Sequence, residues 1–63
     1  MNNYDYLINE FREQIALQTE FLKTGRPSSF EEYRQIVGTI RGLENAIQIT
    51  KDLVQRLENS DDD

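Results

Sequence analysis

The residues that could do chemistry are few and come in pairs. Glu10 and Glu13 lie one helical turn apart, Glu31 and Glu32 are adjacent, and Ser28 and Ser29 precede them. Two carboxylates inside a helical bundle can hold metal ions, but such sites add Glu-x-x-His pairs from facing helices. This chain has no histidine and no cysteine. That removes the usual general base, the commonest metal ligand and any thiol or disulfide chemistry. The two serines have no base to activate them as nucleophiles. The segment "KTGRPSS" lacks the spacing of a phosphate-cradling loop. The expectation is a protein that is not an enzyme and carries no cofactor or metal. Glu31 and Glu32 have a simpler role as first-turn acids, favoured by the helix dipole and by capping.

Charge excludes further classes. A net charge of −5 opposes nucleic-acid binding, where affinity comes mainly from neutralising phosphates. Arg34 and Arg41 share one ridge and Arg26 stands at the turn. They could form a docking strip for an acidic partner, but a solvated face is the simpler reading. No apolar run approaches the roughly 20 residues needed to cross a bilayer, and no signal-peptide pattern opens the chain, so no membrane is expected.

The elements that must position these residues follow from the punctuation. Sixty-three residues make at most one domain, at the low end of what folds alone. "KTGRPSS" is the one cluster of breakers. Gly25 suits the left-handed position that ends a helix, and Pro27 blocks its continuation. Ser28 with Glu31, or Ser29 with Glu32, satisfies the capping-box pattern. The prediction is an all-α, antiparallel two-helix hairpin, with helices over about 3–24 and 29–58. Residues 1–58 form the single domain and 59–63 a disordered acidic tail.

In the first helix Tyr4, Ile8, Phe11, Ile15 and Leu22 form one apolar stripe, with Gln18 in the gap and Leu7 and Phe21 on its flank. The second helix carries two stripes. Ile36, Ile40, Leu43, Ile47, Val54 and Leu57 form a heptad line with Thr50 in the gap. Gly38, Gly42, Ala46, Ile49 and Leu53 form another, roughly 120° away at about 100° per residue. Each glycine costs a helix interior about 1 kcal/mol relative to alanine, so small residues at strict four-residue spacing call for a reason. Close approach of another helix supplies one, since it returns dispersion energy; glycines at solvent-facing positions with no partner are the plain alternative.

With the turn at Arg26 and Pro27, Phe11 is expected opposite Gly42 and Ile15 opposite Gly38. The groove would then receive the first helix, leaving Ile36, Ile40, Leu43 and Ile47 for another chain. The reverse assignment would leave the groove open instead. The longer second helix would carry Leu53, Val54 and Leu57 beyond any intrachain partner. Phe30 and Tyr33 are expected to pack on Phe21 and Leu22 at the turn. Two helices offer one contact surface, whereas a stable domain covers its apolar faces on every side. A homo-oligomer, or a hairpin docked on a larger protein, is the expected form.

The segment "SSFEEYRQIVGTIRGLENAIQ" has an acidic-Tyr-Arg entry, a V-G-x-I-x-G-L core and an alanine shortly after. It resembles small uncharacterised helical-hairpin proteins encoded by tailed bacteriophages, marine ones among them. The match centres on Phe30 to Leu57. The resemblance implies a viral origin and a structural or assembly role in the virion. It implies partners such as a portal, connector or capsid protein, and a location in the host cytoplasm or the virion. It implies no catalytic residue. The alternative is a regulatory binder made early in infection to inhibit a host protein or sequester a defence signal. A dimeric RNA-binding bundle is a third reading, poorly served by Arg12, Arg34 and Arg41 alone.

Overall fold

A computed structural model describes residues 3–25 and 27–60. Arg26 and the residues 61–63 of the expected acidic tail lie outside them. The described residues form two α-helices, α1 (Asn3–Lys23) and α2 (Phe30–Ser60), which pack side by side as a hairpin. The described residues contain no strand. α2 runs through Asn59 and Ser60, two residues past its expected end.

Local chemistry sets the turn. Gly25 has φ 70°, a left-handed conformation that costs other residues strain and closes α1. Its N–H donates to the Leu22 carbonyl at 3.1 Å, while the Thr24 hydroxyl donates to the Phe21 carbonyl at 2.9 Å. Two of the carbonyls orphaned at a helix end are thereby satisfied. At the start of α2 the choice between the two serines is resolved. The Glu32 N–H donates to Ser29 Oγ at 3.1 Å, and the Tyr33 N–H donates to the Ser29 carbonyl at 3.1 Å. Ser29 is therefore the N-cap. The Glu32 carboxylate reaches one residue further back than a standard box and accepts from the Ser28 hydroxyl at 2.8 Å.

The stripe of α1 meets the heptad stripe of α2. Ile8 and Ile36 are each 8% exposed. Around them Tyr4, Phe11, Ile15 and Leu22 of α1, and Ile40, Leu43, Ile47 and Val54 of α2, are half-buried. Thr50 fills the gap in the stripe at 8% exposure. Its hydroxyl donates to the Ala46 carbonyl at 2.7 Å, so the buried polar group is satisfied within its own helix.

This arrangement corrects three expectations. The glycine groove does not receive α1: a Cβ placed on Gly38 or Gly42 would have no neighbour within 4 Å, so Phe11 and Ile15 do not sit on them. Ile36, Ile40, Leu43 and Ile47 face α1 instead of a second chain, because packing on branched aliphatic side chains removes more apolar area from water than packing on glycine. Val54 is not an overhang, since it lines a groove with Ile8 of α1. Leu53 and Leu57 remain exposed.

The result is thin. The Cα trace measures 53 × 20 × 11 Å, with a radius of gyration of 15.3 Å, against roughly 11 Å for a compact chain of this length. Each helix has one neighbour, and among the described residues no large side chain is fully buried.

Candidate interaction faces

A two-helix layer has two broad faces, and the side chains differ between them. One groove between the helices is lined by Asp5, Ile8, Asn9 and Arg12 of α1 with Lys51 and Val54 of α2. The other is lined by Leu17, Gln18 and Phe21 with Glu32, Gln35 and Ile36. Asn9 and Phe21 project from opposite flanks of the α1 stripe, as Lys51 and Gln35 do on α2, so the grooves open on opposite sides of the layer. The first groove sets the charged Asp5, Arg12 and Lys51 around Ile8 and Val54.

The second groove sets Gln18, Glu32 and Gln35 around Leu17, Phe21 and Ile36. From Gln35 the same ridge of α2 continues through Gly38, Gly42, Ile49 and Leu53, with half-buried Ala46 at its inner edge. Ile49 is 65% exposed. Across the groove α1 contributes Leu7, Gln14 and Phe21, with Glu10 at the rim. This side combines protruding large side chains on α1 with a trough of missing ones on α2. Between Gln35 and Leu53 that ridge carries no charged residue.

A third feature lies on the outer flank of α2. The rings of Phe30 and Tyr33 stack with centroids 6.3 Å apart and planes 17° from parallel. They are 73% and 47% exposed, and do not pack into the turn with Phe21 and Leu22 as expected. Successive turns add Val37, and Tyr33, Arg34, Val37, Gly38 and Arg41 line a shallow depression. The spacing of Phe30, Tyr33 and Val37 is itself a helical pattern. It was legible in the sequence as a third, shorter apolar line on α2, but the adjacent turn offered a competing place for both rings.

The candidate carboxylates stand apart in their roles. Glu10, Glu13 and Glu31 are exposed, and Glu32 is engaged at the cap. Among the described residues no group of three or more acids could hold a metal ion, and no helix is long and apolar enough to cross a membrane. What the geometry offers is surface for packing.

Compared with protein-family models, curated proteins and solved structures, the chain matches none.

Proposed function

We propose that this chain is a small non-catalytic structural or assembly protein of a tailed bacteriophage. It acts by helix packing, in several copies, with itself and with a larger virion component such as a portal, connector or capsid protein. The observation that carries this reading is that large apolar side chains stay exposed on both sides of α2: Phe30 and Tyr33 on one flank, Ile49 and Leu53 on the other. A hairpin one layer thick covers only a single stripe of each helix, so its remaining apolar surface serves association. The viral setting rests on the resemblance of the Phe30–Leu57 segment. The aromatic pair with Arg34 and Arg41 supplies the residue types that dominate binding energy at protein interfaces, and it is the surface assigned here to the larger component.

The test is to look for the chain in purified particles by mass spectrometry, alongside a Phe30→Ala/Tyr33→Ala variant. The reading expects the native chain to be packaged and the variant to be lost from particles while keeping its helicity. Absence of the native chain from particles would overturn the virion role.

A further inference from the structure

The outer flank of α2 selects its partner by charge. We propose that the larger component meets it with an acidic amphipathic helix: two carboxylates seven residues apart pair with Arg34 and Arg41, and an apolar side chain enters the depression between them. The proposal rests on the assignment of this flank to the larger component and names what that component must present.

Geometry is the first argument. Arg34, Gly38 and Arg41 follow one line of α2 at helical spacing, and all three are exposed. The two arginine positions stand about 10 Å apart along the axis. Between them Gly38 leaves the line without a side chain, and Tyr33 and Val37 line the same depression. A strand repeats its face every second residue, at about 7 and 13 Å, which misses this spacing. A second helix repeats its face after seven residues, again at about 10 Å, so it presents two carboxylates and an intervening apolar residue in register.

Charge is the second. The depression holds two guanidiniums and no carboxylate. From Tyr33 to Leu43 no acid occurs, although the chain has 12 in 63 residues. Glu31 and Glu44 stand one turn beyond the two arginines. Over residues 15–42 three acids meet four bases, a net of +1, while the rest of the chain has nine acids and three bases, a net of −6. The half of the hairpin next to the turn is therefore opposite in sign to the whole. Arginine forks pair with carboxylates in a fixed planar geometry, and the adjoining Phe30 and Tyr33 rings give such pairs an apolar border that keeps water away.

The match to other occupants is the third. A second copy offers acids at Glu58 and Asp61–Asp63, but that run reads ENSDDD and holds no apolar residue for the depression. Nucleic acid would bring a repeated negative charge against a molecule of −5, which opposes binding. An acidic helix with its own apolar residue satisfies both halves of the surface.

The probe is a synthetic alanine–glutamine helical peptide with glutamates at i and i+7 and leucines at i+3 and i+4. It is titrated into the isotope-labelled full chain and read by NMR at the Gly38 amide, which should shift. Replacing both glutamates by glutamine, or moving the second to i+5, should weaken binding at least about tenfold. Arg34→Gln/Arg41→Gln should lose the same factor and keep native helicity, since both positions are exposed. Gly38→Leu fills the depression and should also weaken binding, in a chain at least as helical, because a Cβ there meets nothing within 4 Å. An unmoved Gly38 overturns the proposal. So do equal binding of the glutamate and glutamine peptides, unchanged affinity in the double arginine variant, or tighter binding at Gly38 by a single-stranded RNA oligonucleotide or the peptide LENSDDD. Particles keep this separate from the virion role. If Arg34→Gln/Arg41→Gln is packaged like the native chain while Phe30→Ala/Tyr33→Ala is lost, the virion role stands and the acidic partner falls. Absence of the native chain from particles overturns the virion role alone, and the titration reports on the flank independently.

Discussion

Ser29 accepts the backbone N–H of Glu32 on its hydroxyl oxygen at 3.1 Å, and this one bond fixes where α2 begins. Ser29→Ala removes it and should cost about 1 kcal/mol of stability. Ser28 donates its hydroxyl to the half-buried Glu32 carboxylate, which also accepts the Ser28 N–H that alanine would keep, so Ser28→Ala should cost a few tenths of that. Urea unfolding at one fixed protein concentration compares them. A larger loss for Ser28→Ala would show that the cap is assigned to the wrong serine.

Gly25 closes α1 at φ 70°, and a Cβ built there would touch nothing within 4 Å. Its replacement is therefore a pure backbone test. Gly25→Ala should destabilise by about 1 kcal/mol and Gly25→Asn by less, because asparagine tolerates the left-handed region better. Equal stability of all three forms in thermal unfolding would mean that the turn adopts another conformation in solution.

Ile36 and Ile49 belong to the two stripes of α2, and truncating each reads a different contact. Ile36 is 8% exposed against 65% for Ile49. Ile36→Ala should cost about 2 kcal/mol, the low end for a core isoleucine, because so thin a molecule can collapse around the gap. That loss should persist on dilution. Ile49→Ala should be close to neutral in dilute solution; under the proposed self-association it should lower the melting temperature only at concentrations that favour pairing, as mass action requires. Melting curves across a dilution series distinguish the two, and identical behaviour would remove the distinction between the stripes.

Thr50 is a hydroxyl inside an apolar stripe, donating to Ala46 at 2.7 Å. Val keeps the shape and deletes the one donor. The Ala46 carbonyl retains its helical partner, the Thr50 N–H, so no buried group is orphaned. Thr50→Val should be neutral or stabilising by up to about 1 kcal/mol. A clear loss in denaturant unfolding would mean that the hydroxyl serves something other than its own helix.

The two helices, the turn at Gly25 and Pro27, the capping role of the serine-glutamate pairs and the two apolar stripes on the second helix are legible in the order of residues. All of these are set within about four residues, by hydrogen bonds and side-chain periodicity that act locally. Which stripe meets α1, which serine caps α2, the half-burial of Val54 and the open stacking of Phe30 and Tyr33 emerge once the helices pack. The small-residue spacing was visible from the start, but spacing says that a surface is smooth and not what lies against it. That choice turns on comparing the apolar area removed from water along each stripe, summed over residues tens of positions apart. Ile36, Ile40, Leu43 and Ile47 offer α1 more area than Gly38 and Gly42, so the glycines are left facing outward.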